Sequence, residues 1–204
     1  MVRLRLSSKG FNELELNHKI DAEVEKVKPL IEKYIYGYEE YGKEQPKIEE
    51  ILGQLLLEKG LKLGLAESCT GGYISHLITS VAGSSAYYNG CIVPYHNTFK
   101  NALLKVDHSV FEKYGAVSKE CVIAMAKETL LTFNTDVAIA VSGIAGPGGG
   151  TTDKPVGTTW IAVAYGDRII PKQFIFGDNR QRNIQMTAIT AMNMLRKLIL
   201  KIED

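Results

Sequence analysis

The segment Glu67 to Gly72, which reads Glu-Ser-Cys-Thr-Gly-Gly, places one carboxylate, two hydroxyls and one thiol at a single corner of the chain. Apolar residues alternate before this corner, at Leu63 and Leu65, and return at helical spacing after it, which indicates a strand, a turn and a helix. The N–H groups at a helix start are positive and can stabilise a developing oxyanion. The corner therefore suits a hydroxyl nucleophile, Ser68 or Thr70, although an ordinary helix cap would use the same residues.

A hydroxyl nucleophile needs a base near neutral pH, and the sequence offers a lysine rather than a histidine. None of the four histidines stands in a recognisable catalytic motif. The segment YHNTFK places Tyr95, Asn97 and Lys100 just after a predicted strand. A lysine in a desolvated pocket can lose its proton and serve as a base. The alternative interpretation of Lys100 is a solvated lysine on the surface of a helix.

A second turn, residues 142 to 159, reads SGIAGPGGGTTDKPVGTT and is dominated by glycine. Glycines let backbone N–H groups approach an anion, so this loop can hold a phosphate without a basic patch. It matches neither the P-loop nor the dinucleotide-binding fingerprint. The alternative is a long, mobile connection between two strands.

Helical and strand patterns alternate around these turns from residue 46 onward. Predicted strands lie near residues 61–65, 90–95, 136–143, 157–165 and 167–176, and predicted helices near 48–55, 96–106, 119–133 and 184–199. Pro171 indicates that the last strand lies at a sheet edge or carries a bulge. The alternation predicts a three-layer α/β/α sandwich with a mixed sheet. Ligands bind such sheets beyond the carboxyl ends of strands, where both turns would lie.

Residues 1 to 45 differ from the rest because 17 of their side chains are charged, out of 47 in the whole chain. The alternation in VRLRLS predicts a strand. One apolar face, with Asp21 as its candidate cap, predicts a helix that carries Ile20, Val24, Val27, Ile31 and Tyr34. YGYEEYGKEQPK then predicts a linker. We expect a small α+β module in residues 1–45 and the main domain in residues 46–204.

Composition excludes several classes of function. The chain carries 24 basic and 23 acidic side chains, so its net charge gives no general attraction to nucleic acids or anionic membranes. No segment approaches the roughly 20 apolar residues of a spanning helix, and the first residues lack a secretory pattern, so we expect a cytoplasmic protein. The three cysteines are widely spaced and predict free thiols. We expect no metal and no cofactor.

Six segments, taken in order, resemble the C-terminal domain of the CinA (competence/damage-inducible) family. They read AESCTGG, GSSAYYNG, YxNxxK, GAVS, SGIAGPGGGTTDKPVGTTWIA and NRQRNI, within residues 46 to 202. Residues 1–45 resemble the small module that precedes this domain in full-length members, whereas the family's larger N-terminal domain has no counterpart in this sequence. The resemblance implies an amidohydrolase that converts nicotinamide mononucleotide and water to nicotinic acid mononucleotide and ammonia.

The resemblance also implies roles for single residues. Ser68 would be the nucleophile, with Thr70 second and Cys69 still open; Lys100 would be the base, and Tyr95 would relay the proton or orient Lys100. Backbone N–H groups near Thr70 to Gly72 would stabilise the oxyanion. The implied substrate-binding residues are Glu67, Gly71, Gly72, Asn97, Ser142, Gly143, Gly146, Gly148, Gly149 and Arg180, with Arg182 as the alternative to Arg180.

The sequence departs from the family pattern around the predicted base, at Pro94, Thr98 and Phe99. This leaves a second interpretation open, a non-catalytic module that binds a pyridine nucleotide and reports it to a partner protein. Retention of Lys100 favours the enzyme, and Thr98 in place of an acid favours the module. A role in DNA uptake or repair is disfavoured by the near-neutral charge. We expect a homo-oligomer that has no direct nucleic-acid or membrane partner.

Overall fold

The computed structural model describes residues 4–35, 37 and 46–202, and the chain divides into two units, Met1–Gln45 and Pro46–Asp204.

The first unit contains one helix, α1, which spans Glu13–Ile31 and is followed by a 3₁₀ turn at Glu32–Tyr34. Its N-cap is Asn12, whose side-chain oxygen accepts the N–H groups of residues 14 and 15. The predicted cap at Asp21 is therefore wrong, because Asp21 lies inside the helix. Residues 4–7 form no strand, and residues 2 and 3 of the expected strand lie outside the described residues. Most of the predicted linker, residues 36 and 38–45, also lies outside them.

The second unit alternates helices and strands. In chain order they are α2 (Ile48–Lys59), β1 (Leu63–Glu67), α3 (Tyr73–Thr79), β2 (Tyr88–Ile92), α4 (Asn97–Leu104), α5 (His108–Tyr114), α6 (Lys119–Phe133), β3 (Val137–Gly143), β4 (Thr158–Tyr165), β5 (Arg168–Ile175) and α7 (Arg180–Ile199). The predicted α/β class with a mixed sheet is confirmed. Helix α5 was not predicted, because its seven residues carry too little periodic signal.

The five strands form one sheet in the order β2-β1-β3-β4-β5. β1 pairs in parallel with β2 and β3, and β4 pairs antiparallel with β3 and β5. Pro171 lies on the edge strand β5, and the β4–β5 register continues through it without a shift. The carboxyl ends of β1, β2, β3 and β5 therefore share one edge of the sheet, where β4 begins.

Large and small side chains alternate along β3, and the two sets pack against different helices on the two faces of the sheet. Val137, Ile139 and Val141 belong to a core cluster with residues of α2, α3 and α7. Ala138 and Ala140 belong to a second cluster with residues of α4 and α6. Small side chains let a helix approach the sheet closely, so α6 packs against the alanine face of β3, and α4 in turn packs against α6.

Candidate active site

A cavity of about 220 Å³ lies at the shared carboxyl edge of the strands. Its lining comes from five separate segments of the second unit, which the sheet brings together. The lining residues are Ser68, Cys69, Tyr95, Asn97, Lys100, Ala116, Val117, Ser142, Gly143, Ala145 and Arg180. Seven residues predicted from sequence thus share one cavity: Ser68, Tyr95, Asn97, Lys100, Ser142, Gly143 and Arg180.

Glu67 ends β1 and lies fully buried behind the turn rather than in the cavity wall. One carboxylate oxygen accepts the Thr70 hydroxyl at 2.6 Å and the N–H groups of Gly72 at 3.1 Å and Ile74 at 3.0 Å. The other accepts the N–H of Ser75 at 2.7 Å. A carboxylate in contact with the first N–H groups of a helix is favourable, since those donors are otherwise unpaired. Glu67 therefore stabilises the turn through hydrogen bonds on the side that faces away from the cavity.

The structure distinguishes the three candidate nucleophiles of the turn. Thr70 donates its hydroxyl to Glu67 and does not line the cavity. Burial raises the pKa of the Cys69 thiol to about 12, an effect that the Glu67 charge reinforces and that Lys100 and Arg180 oppose. Ser68 lines the cavity, and its hydroxyl makes no hydrogen bond to any other described residue. Ser68 and Cys69 therefore both line the cavity, and of the two candidate hydroxyls only that of Ser68 belongs to a lining residue.

Two of the N–H groups expected to form an oxyanion site already have acceptors in the protein. Gly71 donates to the Ser68 carbonyl at 3.1 Å, and Gly72 donates to Glu67. The N–H groups of Cys69 and Thr70 donate to no other described residue, although the N–H of Cys69 contacts its own thiol. An oxyanion site next to Ser68 would therefore use residues 69 and 70 rather than 70 to 72.

Lys100 is 2% exposed, and its Nζ points at backbone carbonyls. Nζ donates to Pro94 O at 2.9 Å and to Tyr95 O at 3.4 Å. None of the ion pairs between described residues includes Lys100. Burial lowers the pKa of its ammonium below the ordinary 10.5, and the neighbouring thiols of Cys121 and Cys69 act in the opposite sense. The predicted alternative, a solvated surface lysine, does not match this placement.

Tyr95 and Arg180 form part of the cavity lining and bond to each other. Tyr95 is 60% exposed, and its hydroxyl accepts Arg180 Nη2 at 3.0 Å. Arg180 Nη1 donates to Gly146 O at 2.8 Å. The Tyr95 hydroxyl thus contacts Arg180, and Tyr95 reaches Lys100 through its backbone carbonyl only. Arg182, the alternative to Arg180, is exposed and does not line the cavity.

The glycine-rich loop between β3 and β4 is anchored at its base. Ile144 N donates to Thr158 O, and Gly157 N donates to Ile144 O, both at 2.8 Å. Buried Asn183 donates to Ala145 O at 3.0 Å. Gly143 lines the cavity and Gly146 holds Arg180, whereas the predicted ligands Gly148 and Gly149 are exposed and lie outside the lining, as do Gly71 and Gly72. Only the base of the loop therefore faces the cavity.

The departures from the family pattern lie mostly away from the cavity. Thr98 is exposed and bonds to His96 Nδ1 at 3.0 Å, and Phe99 is 54% exposed. Pro94 touches Lys100 through a carbonyl, which any residue at that position would supply. The replaced side chains therefore leave the cavity lining unchanged.

Sequence reasoning missed Ala116, Val117 and Ala145 as lining residues, and gave Cys69 no binding role. Ala116 and Val117 stand in the GAVS segment that carried part of the resemblance, so the motif itself was the available signal. Among the described residues, no group of three or more His, Cys, Asp or Glu side chains is placed to hold a metal ion. In the part of the chain that the structure describes, no helix is both long and apolar enough to cross a membrane.

Comparisons with known proteins agree with this architecture. The chain is 43% identical over 202 residues to a CinA-like protein from Cytophaga hutchinsonii and 44% identical over 183 residues to one from Amoebophilus asiaticus; these alignments cover 99% and 90% of this chain. It spans about half the length of these curated relatives, 47% and 43% respectively.

Solved structures match as well. The competence/damage inducible protein CihA from Agrobacterium tumefaciens superposes with a TM-score of 0.71 at 35% identity, over 76% of this chain and 98% of that one. The competence damage-inducible protein A from Klebsiella pneumoniae gives a TM-score of 0.72 at 29% identity, over 78% of this chain and 100% of that one. The family model of the CinA C-terminal domain matches residues 45–199. The chain therefore belongs to the CinA family through this C-terminal domain.

Proposed function

We propose that the protein is a metal-independent amidohydrolase that converts nicotinamide mononucleotide and water to nicotinic acid mononucleotide and ammonia. The observation that carries this proposal is the placement of Lys100 in the cavity that Ser68 lines, as a buried lysine that pairs with no carboxylate of the described residues. A hydroxyl and a lysine with a lowered pKa form a nucleophile and its base.

The hydrogen bonds of Lys100 support its role as a base. A neutral amine has two N–H donors and one lone pair. The carbonyls of Pro94 and Tyr95 accept the two donors. The lone pair is then available to a third group, and the Ser68 hydroxyl is a candidate for that position in the same cavity.

The proposed reaction has two halves. In the first, Ser68 Oγ attacks the carboxamide carbon, its proton passes to Lys100 Nζ, and the C–N bond breaks as that proton goes to the leaving ammonia. In the second, water gives one proton to Lys100 and attacks the resulting ester; the acyl C–Oγ bond breaks as Lys100 passes that proton to Ser68 Oγ, and the acid product loses its remaining proton to solvent to give the carboxylate. The N–H groups of Cys69 and Thr70 would stabilise the oxyanion in both halves.

The hydrogen-bond contacts of Arg180 favour a substrate that carries an anionic group. Its guanidinium donates to two neutral oxygens, and none of the ion pairs between described residues includes it. A phosphate can replace such neutral acceptors with a bidentate, charge-assisted pair. Asn97 and the base of the glycine-rich loop would complete the contacts to the ribose and phosphate.

The test is ammonia release from nicotinamide mononucleotide by the purified protein, in the presence of a chelator. We expect Ser68→Ala and Lys100→Met each to lower kcat/KM by at least about 100-fold. Ser109→Ala and Lys127→Met, which change exposed residues elsewhere, serve as matched controls. Thr70→Val separates the second candidate nucleophile, since a loss as large as that of Ser68→Ala would reassign the role.

Saturable nucleotide binding without any turnover by the wild type would instead favour the non-catalytic binding module. The cytoplasmic location and the homo-oligomeric state expected from the sequence stay predictions.

A further inference from the structure

Lys154 belongs to the glycine-rich loop, but its side chain reaches a different part of the domain. Its Nζ donates to Tyr114 O at 2.6 Å and to Val117 O at 2.8 Å. These two carbonyls flank the short connection between α5 and α6. Within the described residues, no ion pair includes Lys154, so its ammonium contacts neutral carbonyls rather than a carboxylate.

Residues 114–117, the wall segment, have an unusual backbone environment. All four of their carbonyls accept hydrogen bonds from side chains. Ser118 Oγ donates to Gly115 O at 2.7 Å, Ser142 Oγ donates to Ala116 O at 2.8 Å, and Lys154 supplies the two outer bonds. Since side chains hold all of these carbonyls, loss of Lys154 would remove half of those bonds in a single change.

Lys154 lies beside Gly115. Gly115 has a φ of 76°, in the left-handed region that favours glycine. A Cβ at this position would lie 3.4 Å from Lys154 Nζ. That distance is an ordinary van der Waals contact, so the positive φ rather than the lysine favours glycine at this position.

Two side chains of the wall segment, Ala116 and Val117, line the cavity beside Ser68 and Lys100. We propose that Lys154 is a positioning residue, which holds these two apolar side chains as a fixed surface against the flat ring of the substrate. This inference rests on the proposed function, because it assigns one wall of the cavity to the ring that carries the reacting carboxamide.

The first test measures hydrogen–deuterium exchange of peptides that cover residues 114–118. Lys154→Met removes the donors and keeps a linear side chain, Lys154→Arg retains donors, and Lys127→Met is the control. We expect exchange about tenfold faster in Lys154→Met only, confined to the wall segment. Unchanged exchange overturns the proposal, and so does equal acceleration throughout the domain, which would mean general destabilisation.

The second test separates positioning from simple support of the fold. For Lys154→Met we expect KM to rise about tenfold, equally for nicotinamide mononucleotide and for nicotinamide riboside, with an unchanged pH midpoint of kcat. Arg180→Met should instead affect only the substrate with a phosphate. Faster exchange with an unchanged KM would overturn the positioning role.

The two hypotheses fail in different ways. No turnover by the wild type would refute the proposed function alone, and the exchange experiment would still decide whether Lys154 holds the wall. In that case, calorimetric affinity for nicotinamide mononucleotide replaces KM. An affinity about tenfold weaker in Lys154→Met would support the wall assignment, and an equal affinity would overturn it.

Discussion

Replacement of Lys100 by methionine should make the domain less active and more stable at once. Methionine keeps an unbranched side chain of similar reach but removes the amine. We expect ammonia release to fall by about 100- to 10,000-fold, the usual contribution of a positioned acid or base. The stability change follows from the burial of Lys100 and from its two carbonyl acceptors.

Two opposing contributions set the magnitude of the change in the free energy of unfolding. Confining a cation in a buried site costs several kcal/mol, and methionine removes that cost. The variant also leaves the carbonyls of Pro94 and Tyr95 without their donor, at about 1 kcal/mol each, less for Tyr95 because water reaches it. The net expectation is a gain of about 1 to 2 kcal/mol at neutral pH, or a rise in Tm of about 2 to 8 °C for a domain of this size.

The lowered pKa of Lys100 independently predicts how the stability difference between the wild type and Lys100→Met changes with pH. Because the folded pKa of Lys100 lies below 10.5, the unfolded chain binds more protons between the two pKa values. Wild-type stability should therefore gain a rising contribution with pH over that window, whereas the variant should lack it. The advantage of Lys100→Met should be largest below the folded pKa and shrink as pH approaches 10.5.

Urea unfolding followed by circular dichroism at pH 6, 8 and 10 measures this difference, with Lys127→Met as the control. A variant less stable than the wild type at pH 6, or a difference that does not change with pH, would refute the reasoning. Lys100 would then be an ammonium well satisfied by its carbonyls rather than a strained one.

Three further outcomes are expected. Glu67→Gln should lower the free energy of unfolding by about 2 to 4 kcal/mol in urea melts, because an amide presents its NH₂ to donors such as Ser75 N; an unchanged midpoint would contradict the role of the carboxylate in the turn. Gly143→Ala should cost about 1 to 3 kcal/mol, since its Cβ would lie 2.7 Å from Thr159 Oγ1, and Gly148→Ala, where a Cβ meets nothing, is the control. Cys69, with a pKa of about 12, should resist iodoacetamide at pH 8 until the protein is unfolded in urea; rapid modification of native protein would show that the thiol is accessible and ionised.

The sequence predicted the parts of this site that depend on local signals. Period-2 alternation into a polar turn located Glu67 at the end of β1, and Ser118 marked the start of α6 through its cap. Both are properties of a few adjacent residues, so they can be read from spacing alone. The shared carboxyl edge then followed from the alternation of strands and helices.

The parts that were missed depend on contacts between distant residues. The wall segment is held by Ser142 and Lys154, 26 and 37 residues from the carbonyls they bind, so no local pattern indicated it. In α1, Asn12 and Asp21 are both good caps, and the choice between them depends on where the helix begins. The glycine run at residues 148–150 predicted an anion site by composition, but only the base of that loop reaches the cavity.

Glu67 in the turn and Lys100 in α4 have separate sets of hydrogen-bond partners, which bears on the proposed role of Lys100 as a base. Glu67 accepts four donors from the turn and from α3, which leaves it no role toward Lys100. A carboxylate beside Lys100 would stabilise the ammonium and raise its pKa, so the lysine would hold its proton. Carbonyls satisfy the N–H groups of the amine without adding a negative charge. In the proposed mechanism, the same arrangement that makes Lys100 costly to bury is therefore the one that would let it accept a proton from Ser68.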